Sequence, residues 1–191
     1  MSASRAGARS LLLRITYLRI ALVPAVMALV LRGEQAPAAY PAAAALFVAA
    51  AATDFLDGYL ARRWSVTTPL GSFLDTTADK LLVSGALIAL VASERASPWI
   101  AAIIIGREFV ILGLRGLVAS DGRVMEPSLW GKLKANVQFV AIGLAMLRLP
   151  EPIGPLFLDE WVMLGAAAIT LVSAWDYLAR WSGVLTSSRS R

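Results

Sequence analysis

Asp54-Phe55-Leu56-Asp57-Gly58-Tyr59-Leu60-Ala61-Arg62, an eight-residue interval, then Gly71-Ser72-Phe73-Leu74-Asp75-Thr76-Thr77-Ala78-Asp79 is the stretch that decides how this chain folds. It sets four carboxylates into a sequence that is otherwise mostly hydrocarbon. On helices, Asp54 and Asp57 lie three residues apart and Asp75 and Asp79 four apart, so each pair projects from one face. The interval between them, from Trp64 to Leu70, holds Ser, Thr and Pro and has room to reverse the chain. Two antiparallel helices then aim all four acids at one point. Four such charges repel strongly at low dielectric and call for cations between them. With no His and no Cys in the chain, an all-oxygen ligand set favours hard divalent ions, Mg²⁺ first, then Mn²⁺ or Ca²⁺. Gly58 and Ala61 share the helical face of Asp54 and Asp57 and leave space for a bulky ligand or a neighbouring helix.

Outward from this stretch the composition is that of a membrane protein. Hydrophobic residues make up 58% of the 191, charged residues 16%, and the mean hydropathy is +0.68. One soluble core of this size cannot hide that much apolar surface, so an all-α integral membrane protein is expected. Six apolar segments are expected to span, at about 11–33, 39–63, 72–93, 97–119, 130–149 and 158–180. They are separated by Gly33–Pro41, Ser93–Pro98, Asp121–Pro127 and Pro150–Pro155, all rich in Gly, Pro or charge. Nothing between them suits a second domain, so residues 1–191 form a single membrane domain in this reading. A short amphipathic N-terminal segment with Arg9, Arg14 and Arg19 among leucines suits the headgroup layer. A cleaved signal peptide fits less well, because Arg14 and Arg19 interrupt the apolar run and five further spans follow.

Placing the N-terminus in the cytoplasm puts fifteen Lys and Arg on the cytoplasmic side and leaves Arg32, Arg95 and Arg148 opposite. Both termini, the Arg62–Gly71 turn, the Ser120–Trp130 loop and the carboxylates then face the cytoplasm. The net charge of +5 sits at segment ends, where anionic lipid headgroups lie, and gives no reason to expect nucleic acid. Without Cys there is no disulfide, thiolate site or Cys nucleophile; without His, acid–base chemistry falls to Asp, Glu, Lys, Tyr or metal-bound water.

Two other accounts of the acids compete with a metal site: a structural ion-pair cluster balanced by Arg62, Arg63 and Lys80, and a cation pathway in a transporter. Two acid pairs facing each other are poorly suited to pairing alone. Thr68-Pro69 has the pattern of an N-cap followed by Pro at the first helical position.

The full pattern, Asp54-x2-Asp57-Gly58-x2-Ala61-Arg62-x8-Gly71-x3-Asp75-x3-Asp79, resembles the signature of the CDP-alcohol phosphatidyltransferases at every specified position. The resemblance implies a six-helix, homodimeric membrane enzyme holding two divalent metals. It implies transfer of a phosphatidyl group from CDP-diacylglycerol to an alcohol with release of CMP. By position, Asp54, Asp57 and Asp75 then match metal ligands, Asp79 the general base with a further metal contact, and Gly58, Arg62 and Thr68 the binders of the CDP moiety. Outside the signature the chain resembles the bacterial branch whose acceptor is glycerol 3-phosphate. Gly106-Arg107-Glu108 with Arg115, Gly131-Lys132-Leu133-Lys134 and Trp175-Asp176-Tyr177 carry that likeness. Arg107, Arg115, Lys132 and Lys134 are the expected cations for the acceptor phosphate, and the expected location is a bacterial inner membrane. Inositol phosphate, serine and phosphatidylglycerol are the other acceptors in the same chemistry. One departure stands out: the usual Asn-x-x-Thr ahead of the matched Arg19 is replaced at Ser10 and Leu13, although Thr16 and Arg19 are kept.

Overall fold

Helices account for most of the described residues. The computed structural model describes the backbone of residues 2–64, 68–120, 122 and 129–187. Within these it describes the side chains except those of 2–6, 9, 54–62, 69, 129, 132 and 182–187. Six helices follow in order: α1 Ser2–Arg32, α2 Ala39–Trp64, α3 Pro69–Ala92, α4 Pro98–Ser120, α5 Leu129–Leu147 and α6 Leu158–Ser187. Each matches one expected segment. The N-terminal segment leads without a break into the first apolar segment as part of α1, as expected. Helix α6 continues past residue 180.

Two helical stretches, Ser10–Arg32 and Leu158–Trp181, are long and apolar enough to cross a membrane. In α3 and α4 charge, not length, is what sets them apart. They have 24 and 23 residues, and each carries three ionisable side chains: Asp75, Asp79 and Lys80 on one, Arg107, Glu108 and Arg115 on the other.

Polarity is arranged inside out. Thr16, Arg19, Glu108, Lys134, Gln138, Thr170 and Ser173 are buried, while Phe73, Trp99, Phe109, Leu117, Val140 and Trp175 are exposed. Apolar surface on this scale marks contact with lipid or protein rather than water. Hydroxyls on these helices donate back to their own backbone, as an apolar setting demands: Thr16 to Leu12, Thr76 to Ser72, Thr77 to Phe73 and Ser93 to Ala89, at 2.8–3.1 Å.

The chain divides into two compact units. The first comprises Met1–Arg95 with Ile142–Arg148, and the second Ala96–Ala141 with Leu149–Arg191. In the first, α1 packs on α2 and α3, and α2 on α3. Small residues permit the approach: a Cβ on Gly85 of α3 would lie 2.6 Å from Val23 Cγ1 of α1. Val26, Val30, Phe47, Ala78, Leu82, Leu87 and Leu90 fill the space between them. At one end Arg95 stacks on Tyr40, 3.4 Å from the ring centroid. The same guanidinium donates to the Ala145 and Met146 carbonyls at 3.4 and 3.1 Å, capping the C-terminus of α5. Gly33 lies against the Tyr40 ring with no room for a Cβ.

In the second unit α4 packs on α6. The buried positions of α4, Ala101, Ile104, Glu108, Ile111, Leu114 and Val118, recur every three or four residues. Tyr177 closes this core with Leu178 and Trp181.

Candidate active site

Asp75 and Asp79 occupy the second and third turns of α3. The entry of that helix is fixed by Thr68, whose extended backbone (φ −128°, ψ 150°) precedes Pro69 and whose hydroxyl accepts the Gly71 N–H at 3.0 Å. That is the cap-and-proline start the sequence predicts. Asp57 precedes the end of α2 by seven residues and Asp75 follows the start of α3 by six, each about 10 Å along its helix. Because α2 packs on α3 across a short connection, the backbone brings the two acid pairs to the same end of the helix pair. The side chains of Asp54, Asp57, Gly58 and Arg62 lie outside the described residues.

The Asp75 carboxylate is engaged from one side. Its Oδ1 accepts Arg19 Nη1 at 3.0 Å, yet 37% of its side chain is exposed. Arg19 has no exposed side-chain surface, and its Nε also donates to Thr53 Oγ1 at 3.4 Å. Thr53 directly precedes Asp54, and its own hydroxyl donates to the Ala50 carbonyl at 2.7 Å. Sequence reasoning placed Arg19 at the headgroup layer, which its burial against Asp75 overturns, and it missed Thr53. Only an Arg set within the apolar run of the first helix hinted at the link. Among the described residues no group of three or more metal-binding side chains is gathered; Asp75 and Asp79 are the two described members of the signature set. Their chemistry fits a hard divalent ion, with carboxylate oxygens only and Asp75 held at one oxygen and open to its surroundings.

Two of the second set of expected site residues, Arg107 and Lys134, belong to a largely buried polar cluster in the second unit, and Arg115 lies beside it with an exposed side chain. Arg107 donates to Ser173 Oγ at 2.6 Å and to Glu108 Oε1 at 3.3 Å. Lys134 of α5 pairs with the same oxygen of Glu108. Arg115 donates to the Tyr177 hydroxyl at 3.2 Å, and both arginines lie over the Tyr177 ring, 5.5 and 5.8 Å from its centroid. Arg107, Arg115 and Lys134 are thus brought together through Glu108, Ser173 and Tyr177, while the Lys132 side chain lies outside the described residues. Arg107 also pairs locally with Glu108, and the pairing extends to Lys134. Two cations and one carboxylate leave the trio net positive, as an anion site needs. Ser173 carried no sequence signal; it is fully buried and belongs to no recognisable motif. Trp175, in the same motif as Tyr177, is 76% exposed and faces away from the cluster. Asp176 pairs with Arg180 one turn on, at 2.7 Å.

Comparison with known proteins agrees with these features. The family model described as CDP-alcohol phosphatidyltransferase matches residues 13–172. A Bacillus subtilis protein named CDP-diacylglycerol–glycerol-3-phosphate 3-phosphatidyltransferase is 38% identical over 187 residues, covering 92% of this chain and 97% of that protein. A Pseudomonas fluorescens protein of the same name is 40% identical, covering 92% of each. A Mycobacterium tuberculosis protein named as a probable phosphatidylglycerophosphate synthase is 39% identical, covering 93% of this chain and 84% of that one. Enzymes of this family are generally metal-dependent. With its unbroken acid signature on α2 and α3 and its match along most of its length, this chain belongs to the CDP-alcohol phosphatidyltransferase family.

Proposed function

We propose that this protein transfers the phosphatidyl group of CDP-diacylglycerol to glycerol 3-phosphate, giving phosphatidylglycerophosphate and CMP. The observation that carries the reading is that one chain holds both the complete Asp signature and a buried, net-positive cluster at Arg107, Lys134 and Glu108. Relatives named for glycerol 3-phosphate transfer support the same acceptor. An anionic acceptor needs cations, and a zwitterion such as serine does not.

In this mechanism Asp54, Asp57, Asp75 and Asp79 hold two Mg²⁺ ions, with Mn²⁺ as a substitute. Bound there, the metal supplies charge neutralisation of the pyrophosphate and polarisation at phosphorus. Gly58 lets the CDP moiety approach the α2 backbone, and Arg62 and Thr68 hold it. Arg107, Arg115, Lys132 and Lys134 bind the acceptor phosphate and orient its 1-hydroxyl. That oxygen forms a bond to the phosphorus carrying diacylglycerol as the bond to CMP breaks, and CMP leaves with the bonding electrons. The hydroxyl proton passes to Asp79.

The same reading makes the whole chain one membrane domain of six spans in a bacterial inner membrane. Its termini and active site are cytoplasmic, and two copies associate among the membrane lipids. The inside-out polarity and the distribution of Lys and Arg support it.

The test is CMP release from CDP-diacylglycerol by purified protein in detergent with Mg²⁺, each candidate acceptor supplied separately. Release with glycerol 3-phosphate and not with serine, inositol phosphate or phosphatidylglycerol is the expected result. Release with another of these replaces the acceptor and keeps the chemistry.

A further inference from the structure

We propose that Arg19 is a positioning residue for the metal site, holding the Asp75 carboxylate in the orientation that a divalent cation requires. This rests on Asp75 being a metal ligand, as above. Three observations carry it. The Arg19 side chain has no exposed surface, so its charge is removed from solvent, which is tolerated only with well-placed partners. Its Nη1 reaches Asp75 Oδ1 at 3.0 Å and its Nε reaches Thr53 Oγ1 at 3.4 Å, so one rigid fork joins α1, α2 and α3. The points it joins on α2 and α3 are the residue next to Asp54 and Asp75 itself. Thr53 is in turn fixed by donating to the Ala50 carbonyl at 2.7 Å.

A different role is that of a plain counter-charge among acids. The two roles predict opposite signs. Removing a nearby positive charge relieves repulsion and tightens cation binding. Removing the group that aims a ligand weakens binding, by roughly 10- to 100-fold in metal sites with such outer partners. Lys at this position keeps the charge and loses the fork that reaches both oxygens.

The experiment is Mn²⁺ binding to the purified full-length protein in detergent, followed by the electron paramagnetic resonance signal of the free ion. Wild type is compared with Arg19→Gln, Arg19→Lys and Thr53→Val, each checked for folding by thermal melting. Both Arg19 variants are expected to bind Mn²⁺ roughly tenfold or more weakly, and Thr53→Val to lose affinity in the same direction by less. Should Arg19→Gln not fold, Arg19→Lys and Thr53→Val still decide. Unchanged or tighter Mn²⁺ binding by folded Arg19→Lys overturns the proposal while leaving Asp75 a ligand. A wild type that binds no Mn²⁺ overturns the metal-site reading, and the role of Arg19 with it.

Discussion

Asp79 stands one turn beyond Asp75 on α3, where a carboxylate can take the proton of an attacking hydroxyl. Asp79→Asn keeps the shape and removes the basicity. It is expected to slow CMP release by roughly 100-fold or more, measured in single turnover with glycerol 3-phosphate; retention of most of the rate would remove the base from the mechanism. In the proposed mechanism Ser173 acts at a distance from the chemistry, through its 2.6 Å bond from Arg107. A hydrogen bond to a charged group contributes about 1.5–3 kcal/mol, so Ser173→Ala should raise KM for glycerol 3-phosphate about tenfold with kcat little changed. A fall in kcat with constant KM would contradict the assignment. The acids were legible in sequence because their spacing is helical and their setting apolar. Ser173 and Thr53 were not, because their partners lie 66 and 34 residues away and only helix packing brings them close.

At the level of the helices, sequence periodicity located all six elements because Gly and Pro punctuate the chain between them. It missed only the end of α6, which runs on beyond its apolar part. Beyond the approach of α2 to α3, it gave no sign of which helices touch. The α1–α3 approach depends on Gly85, beside Val23 and Met27. Gly85→Leu overpacks that contact and should destabilise by about 1–3 kcal/mol, lowering the melting temperature in detergent. Gly143→Ala is the control: a Cβ there meets nothing within 4 Å, so the melting temperature should hold or rise. Equal effects of the two would mean that α1 and α3 do not meet at this point.

For the molecule as a whole, the orientation proposed from the Lys and Arg distribution makes a prediction that the cysteine-free sequence makes simple to check. Ser97 and Ser120 are both exposed, at opposite ends of α4. A membrane-impermeant maleimide should label Ser97→Cys in spheroplasts and Ser120→Cys only after the membrane is opened. The reverse pattern would invert the topology and move the acids to the outer face. The inside-out polarity has a genetic consequence as well. In a water-soluble enzyme the outside accepts polar replacements and the inside accepts apolar ones. Here Phe73, Phe109 and Val140 face outward while Arg19, Lys134, Gln138 and Ser173 face inward. A saturation-mutagenesis screen for survival should therefore give a reversed tolerance map, with outward positions accepting Leu for Phe but not Asp. Inward polar positions should reject even Ser→Ala, a substitution that counts as silent almost anywhere else.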